Sequence, residues 1–527
     1  MQSGNFGKRL AAFVGTVTTF AAVLWFSVGQ RSGAPVQAGE SNTAAAQMAG
    51  MWPMFGGTKF RNMVNLVDKN IPDEFDVKKG TNIKWKADLG SRSYGGPVIY
   101  GGRVFVGTNN ENPRDPTDKG DRGIVMAFDE ATGRFLWQAS HKKLPSGQVN
   151  DWPKEGICST PVVEGDKLWY VSNRCTVVCA TTAGENGKAK FLWEYDMIKE
   201  LDVFPHNLAA CSPLIVGELI FVVTANGVDE GHINIPSPEA PSFIALNKNT
   251  GKLVWKDNSP GKNIMHGQWS NPTYAEIKGQ PQIIFPGGDG WLRAFEPATG
   301  KLLWKFDCNP KDAKYELGGK GTRNDFIATP VVYDNKVYIG VGQDPEHFTG
   351  VAYLWCIDPS KPKVIPEDKD ISPVLRVDGK FELNPKMPPA VKDNPASGLV
   401  WVFGGPDKSK DAQRDFIFGR TMSTCAIHDG LCYAAELDGY LHCLDAATGK
   451  LYWTHDLKGS IWGSPYWVDG KIYLGTEDGD LFIFKHGKEK QEPTVIEIGQ
   501  PIRSTPASAN GVLYVMTEST LYAIAHK

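Results

Sequence analysis

The stretch AFDEATGRFLW at 127–137 decides the fold, because the chain writes it three more times, as ALNKNTGKLVW at 245–255, AFEPATGKLLW at 294–304 and CLDAATGKLYW at 443–453. Each copy runs from a small residue in an apolar strand, through Asp, Asn or Glu, to a Thr-Gly turn and then into a strand ending on Trp. Gly133, Gly251, Gly300 and Gly449 suit a turn position that needs positive φ, and the Thr before each can hydrogen-bond its own backbone. Upstream lie two further alternating strands, as in SPYWVDGKIYLGTEDGDL at 464–481, so one unit is four short antiparallel strands.

Aligned on the small residue, the units fall at Ala127, Cys179, Ala245, Ala294, Cys356, Cys443, Ile483 and Ala523. Eight marks, about 40 residues apart where nothing is inserted, predict an all-β chain folded as an eight-bladed β-propeller of four-stranded antiparallel blades. The last unit reaches Lys527 after only three strands, and NIKWKAD at 82–88 reads as the missing Trp-bearing fourth. The last blade is therefore expected to be closed by an N-terminal strand, leaving no open sheet edge. The docking tryptophans are then Trp85, Trp137, Trp193, Trp255, Trp304, Trp401 and Trp453. Blade seven has TVIEI at 494–498 instead, so one seam is expected to be weaker.

Three regions follow. Residues 1–30, with Lys8-Arg9 ahead of the apolar stretch from Leu10 to Val28, read as a signal peptide or N-terminal membrane anchor. Residues 31–81 read as linker and N-terminal extension, and 82–527 as the propeller. Val36-Gln-Ala38 offers a cleavage site, and an uncleaved segment would associate with the membrane. Either outcome places the propeller in the periplasm or on the outer side of the inner membrane. A net charge of −3 and the lack of a basic, aromatic-interleaved patch argue against a nucleic-acid partner. Nine Cys is an odd count. Cys179, Cys356 and Cys443 sit at the small-residue mark and read as core thiols, and Cys158 with Cys175 is the favoured disulfide. The chain holds no Cys-x-x-Cys-His haem site.

The repeated phrase resembles the tryptophan-docking motif of quinoprotein dehydrogenases and their PQQ-like repeat relatives, over residues 82–527. WPMFG at 52–56, HGQWSNP at 266–272, GTRNDFIATP at 321–330 and GQDPEH at 342–347 resemble an uncharacterised secreted bacterial branch of such propellers. That branch implies a fold without an established reaction. The dehydrogenases imply PQQ, a calcium ion and, in many members, an adjacent-Cys disulfide, and this chain has no Cys-Cys pair. An outer-membrane assembly lipoprotein with the same eight blades implies a scaffold, and no lipobox Cys precedes Cys158.

Site residues must come from the loops entering first strands and those joining second to third strands, which share one face of a propeller. Blade three contributes His206, Asn207 and His232, blade four His266, Gln268 and Trp269, and blade five Arg323, Asn324, Asp325, Asp344, Glu346 and His347. Imidazoles, carboxylates, a guanidinium and an indole at one mouth could hold a divalent cation or an anionic ligand such as a quinone. His266, Trp269, Arg323, Asn324 and Asp325 are the cofactor-binding candidates, and Asp344, Glu346 and His347 the most ligand-like metal trio. No catalytic residue can be assigned. Arg92, Trp462 and Arg503 are further candidates on this face. The expected function is a non-catalytic binding or scaffold module at the cell envelope, taking an envelope protein or a small molecule at the mouth of blades three to five. The alternative is a periplasmic PQQ- and calcium-dependent alcohol or sugar dehydrogenase that passes electrons to a separate cytochrome.

Overall fold

The computed structural model describes residues 50–526, apart from 348–349, 381–383 and 385–386. The export segment expected over 1–30 lies outside the described residues. Eight four-stranded antiparallel blades follow one another along the chain, their strands lying in residues 98–142, 162–196, 214–257, 273–307, 331–404, 426–456, 466–497 and 507–524. Blade eight takes strands Ala507–Ala509, Val512–Met516 and Thr520–Ile524 from the C-terminal end, and Ile83–Asp88 pairs antiparallel with Thr520–Ile524 as its outer strand. The expected closure is the observed one.

The repeat now has a physical meaning. Ala127 faces Trp137 directly across the ladder, and Cys179 faces Trp193, Ala245 Trp255, Ala294 Trp304, Cys356 Trp401, Cys443 Trp453 and Ala523 Trp85. In each of these pairs the register shifts between the small residue or its partner and the adjoining residue. This irregularity bends the outer strand so that its indole reaches the neighbouring blade. Trp85 Nε1 donates to Glu130 O at 2.9 Å, Trp137 to Thr182 O at 2.9 Å, Trp255 to Pro297 O at 2.8 Å and Trp401 to Ala446 O at 2.9 Å, each across a seam. Trp304 differs. Its Nε1 donates to Gln282 Oε1 at 2.7 Å within its own blade. Blade five has residues 359–398 in place of a Thr-Gly turn, and 369–371 of that segment lie along blade four, where Lys305 N donates to Lys369 O at 2.8 Å and Ile371 N to Lys305 O at 2.9 Å.

Blade seven has no docking indole, as expected: Thr494–Glu497 is its outer strand and is largely exposed. Residues 65–75 bridge the seam instead. Tyr473 Oη donates to Pro72 O at 2.9 Å on the blade-seven side. On the blade-eight side, Asp68 accepts from Ser508 Oγ at 2.7 Å and Gly511 N at 3.1 Å.

These residues continue a cord that circles the channel. The innermost strand of each blade leaves one edge of N–H and C=O groups facing the axis, and such groups need partners when buried. Trp52 exchanges both backbone bonds with Ile99 of blade one, Pro53 O accepts from Val163 of blade two, Lys59 O from Tyr274 of blade four and Phe60 O from Val332 of blade five. Asn62 brackets Ile427 of blade six, and Val64–Asn65 pairs parallel with blade seven. Asn65 Nδ2 reaches Ser508 O of blade eight at 3.1 Å. Arg61, 0% exposed, completes the circle by donating to Ser212 O and Pro213 O of blade three and to Pro272 O of blade four, each at 3.0 Å. Residues 52–65 thus touch all eight blades and close the channel.

Candidate functional site

Above the cord lies a cup of about 390 Å³. Phe55 of the cord contributes to its lining, together with Tyr94, Cys158, Leu208, Trp269, Ile327, Met422, Trp462 and Arg503, one from the entry region of each blade in turn. The lining is largely aromatic and aliphatic, with Glu155, Glu346 and Arg503 as its charged groups and Asn207 and Asn271 among its neutral polar ones. Arg503 is anchored: its guanidinium donates to Glu477 Oε1 at 2.6 Å and to Glu518 Oε2 at 2.9 Å, while Trp462 Nε1 donates to Glu477 Oε2 at 3.0 Å. Both residues therefore line the channel mouth as a braced wall.

On one side of the cup, blades three to five bring four imidazoles together. His206 stands on the entry loop of blade three, His232 in the 225–242 insertion of the same blade, His266 on the entry loop of blade four and His347 in the 342–352 loop of blade five. His206 and His266 have ring centroids 4.3 Å apart, His232 and His266 4.6 Å, and His266 and His347 4.7 Å. His266 is 1% exposed, with Nδ1 facing Asp344 Oδ2 at 3.2 Å and Nε2 facing Glu346 Oε2 at 3.2 Å. His347 Nδ1 meets the same Asp344 oxygen. Asn207 Nδ2 donates to Glu346 Oε1 at 2.8 Å, which orients that carboxylate. Trp269 stands edge-on to His266 at 5.0 Å and donates to His206 O at 3.2 Å, so it joins the cluster to the cup.

Burial and charge divide the protonation states. Burial, helped by His266, pulls His206 down to about 3, and the same two causes lower His232. Burial opposes charge on His266 as well, but hydrogen bonding to Asp344 and Glu346 overrides it and raises the imidazole to about 9. Asp344 is held well below the usual carboxylate range: His266 and His347 outweigh the opposing effect of its burial. Asp325 goes the other way. Burial and the Asp344 charge push it up to about 8, with its Oδ2 lacking a hydrogen-bond partner. A carboxyl kept neutral beside an ionised one is a pattern met at functional sites.

The sequence-derived candidates separate here. Asp344, Glu346, His347, His266 and Trp269 come together as one site, and Asp325 borders it through Asp344. Arg323 and Asn324 do not face the cup. Arg323 donates to Asp307 Oδ1 at 2.7 Å and Asp289 O at 3.0 Å, tying blade five to blade four. Asn324 Nδ2 donates to Val351 O at 3.0 Å, and its backbone brackets Asn309. Away from the cup, Asp115 accepts from Thr117 Oγ1 at 2.6 Å, Asp118 pairs with Arg122 at 2.7 Å, and Asp121 accepts from Lys154 N at 2.6 Å, so these carboxylates serve to hold their loops. The disulfide expected between Cys158 and Cys175 is corrected, since both are free thiols. Cys175 Sγ lies 3.2 Å from Thr224 O, and Cys158 Sγ 3.7 Å from Glu155 O, so each thiol is turned to a different carbonyl. Sequence reading missed the floor of the cup. Its signal was present in the aromatic residues Trp52, Phe55 and Phe60, which a solvated linker would not carry.

Fold and site together define a tryptophan-docked, eight-bladed propeller whose channel is closed by the cord and whose largely apolar cup is flanked by a polar imidazole and carboxylate cluster. Residues 121–358 and 393–525 match the model of the PQQ-repeat family described as outer membrane protein assembly factor BamB, and the chain belongs to that family. Among curated relatives, a polyvinylalcohol dehydrogenase of Sphingopyxis sp. (strain 113P3) is 25% identical over 305 residues, covering 51% of this chain and 43% of that enzyme. The outer membrane protein assembly factor BamB of Shewanella oneidensis is 21% identical over 289 residues, covering 46% of this chain and 67% of that protein. The chain thus spans less than half the length of the polyvinylalcohol dehydrogenases it matches. Among solved structures, a quinohemoprotein alcohol dehydrogenase of Pseudomonas putida HK5 superposes with a TM-score of 0.56 at 12% identity, covering 93% of this chain and 82% of that one. BamB of Moraxella catarrhalis gives 0.50 at 13% identity, covering 84% and 97%. At such identities these structures show the fold alone.

Proposed function

We propose that this chain is an exported binding propeller of the cell envelope, and that its recognition site is the cup above the cord. The observation that supports this most is the convergence of entry-region residues from all eight blades on one cavity of about 390 Å³ with a predominantly apolar wall. A similar propeller is named as an outer-membrane assembly factor, which fits an envelope location and a binding role.

The second reading is a quinone-dependent dehydrogenase, favoured by relatives named as quinohemoprotein and quinone alcohol dehydrogenases and by the flat indoles of Trp269 and Trp462 at the cup. The donor chemistry fits it poorly. Calcium takes six to eight oxygen ligands, whereas Asp344 and Glu346 are both engaged by imidazoles. The thiol at the cup, Cys158, has no disulfide partner to lie over a quinone.

Two measurements separate the readings. Purified protein is incubated with PQQ and calcium, desalted, and followed by quinone absorbance and by dye reduction with a panel of alcohols and sugars. Neither retained quinone nor dye reduction is expected. A photocross-linking residue at Leu208, inside the cup, is compared in intact cells with one at the exposed Lys262. An adduct specific to Leu208 is expected, whereas stoichiometric quinone with turnover would replace the binding reading by the dehydrogenase.

A further inference from the structure

We infer that His206, His232, His266 and Glu346 form a binding site for one divalent transition-metal ion of the zinc class, built into the wall of the cup. The site does not rest on the proposed binding role, and its donors come from three blades that the sequence keeps up to 140 positions apart (206 to 346).

Four donor atoms, one from each residue, lie within 4.8 Å of one another. The three separations among His232, His266 and Glu346 are close to those of ligands around a common centre, and the His206 donor lies within 4.8 Å of them. Metal–nitrogen and metal–oxygen bonds of about 2.0–2.2 Å at tetrahedral angles place neighbouring donors roughly 3.3–3.5 Å apart. His266 Nε2 lies 3.4 Å from His232 Nε2 and 3.2 Å from Glu346 Oε2, and His232 Nε2 lies 3.8 Å from the same carboxylate oxygen. The two imidazole nitrogens make at best a long hydrogen bond at 3.4 Å, and an ion between them would hold both more strongly.

His206 supplies the independent observation. It is 1% exposed, and its Nδ1 lies 2.9 Å from Val228 O, which can only accept. Nδ1 therefore carries the proton, and Nε2 is left as a buried lone pair with no hydrogen-bond partner. A buried acceptor without a donor is costly, and a metal-ligating histidine has this arrangement, with the distal N–H fixed by a carbonyl. On His266, Nδ1 is turned to the Asp344 carboxylate at 3.2 Å, a charge contact outside hydrogen-bond geometry, and Nε2 is turned toward the centre. Asn207 holds Glu346 Oε1, leaving Oε2 for the ion.

The charges also close. The ion takes the place of the proton that metal-free His266 holds between Asp344 and Glu346; it then faces three neutral imidazoles and the Glu346 carboxylate, and the one positive charge left over is balanced by the Asp344 carboxylate behind His266. Nitrogen-rich donors select zinc, copper, nickel or cobalt over calcium and magnesium. Glu346 and Asn207 line the cup as well, so a ligand in the cup that carries a carboxylate or another small anionic donor could reach the ion by displacing Glu346.

Cobalt(II) serves as the probe because a four- or five-coordinate cobalt site absorbs visible light. Protein stripped with chelator is titrated with cobalt, then zinc, then calcium. One equivalent of cobalt should give visible bands, zinc should abolish them, and calcium at millimolar concentration should do neither. His206→Gln and His232→Gln should each weaken cobalt binding by about 100-fold or more, beyond the roughly 10–100-fold lost when a residue that only supports a ligand is removed. His428→Gln/His486→Gln, a distant imidazole pair with ring centroids 5.5 Å apart, should leave it unchanged. Circular dichroism of each metal-free variant must match the parent, and the half-buried His232 is the variant that keeps the test valid should His206→Gln fail to fold. Absence of visible bands in the parent, undiminished binding in folded His232→Gln, or preference for calcium would overturn the assignment.

Discussion

Trp85 of blade eight stands against Gly133 in the Thr-Gly turn of blade one: a Cβ added to Gly133 would lie 2.6 Å from Trp85 Cδ2. This contact closes the ring, and Trp137 meets Gly184, Trp193 Gly251, Trp255 Gly300 and Trp401 Gly449 in the same manner. Gly133 is constrained twice, by the indole and by its φ of +73°. Gly101, at φ +58°, carries the backbone constraint alone, because a Cβ there would meet nothing within 4 Å. Gly101→Ala should lower stability by about 1–2 kcal/mol, and Gly133→Ala by roughly 1–3 kcal/mol more, because the indole must also shift. Urea unfolding of the two variants side by side measures the difference. Equal losses would mean that the indole contact contributes nothing.

Asp68 ties the cord to the seam that lacks a tryptophan. Its carboxylate accepts from Asn65 Nδ2 at 2.9 Å, Ser508 Oγ at 2.7 Å and Gly511 N at 3.1 Å. Asp68→Ala leaves these donors short of an acceptor and should lower stability by about 2–4 kcal/mol, since bonds to a charged group are worth roughly 1.5–3 kcal/mol each and do not add fully. The loss should be local first. Limited trypsin digestion should cut after the exposed Lys69 faster in the variant than in the parent, while the sites inside the blades stay protected. Unchanged cleavage at Lys69 would count against the cord as the clamp of this seam.

The repeat made the wheel legible because Gly133 and Trp137 are set by a contact between consecutive units, so the same solution recurs in sequence. The site was legible only as a set of loops. His266, Asp344, Glu346 and His347 were placed at one mouth by counting strands, yet Arg323 and Asn324 sit on the same kind of loop and turn inward to Asp307 and Asn309. Loop depth depends on partners far along the chain, and no local pattern encodes it. His206 shows the same limit: its role follows from the Val228 carbonyl 2.9 Å away. The cord was the least legible part, because its hydrogen bonds go to the edges of eight separated strands and impose no period on residues 52–65.

Besides the lowered His206 and His232, His141 contributes a separable part of the protein's sensitivity to acid. Its Nε2 lies 2.8 Å from Tyr170 Oη, and burial, with Arg174 nearby, pulls the imidazole down to about 4. The unfolded chain binds a proton near the ordinary value of about 6.5, whereas the folded chain resists until about pH 4. Between these values the unfolded state holds more protons, so stability falls as the pH falls through this window and the loss is complete below about 4. The difference corresponds to roughly 3 kcal/mol for this group. His141→Gln keeps a side-chain partner for Tyr170 and removes the titration. Its urea midpoint should be lower than the parent's at pH 7.5, and the gap should narrow or reverse by pH 4.5. A gap that stays constant from pH 7.5 to 4.5 would show that His141 is not the group resisting acid.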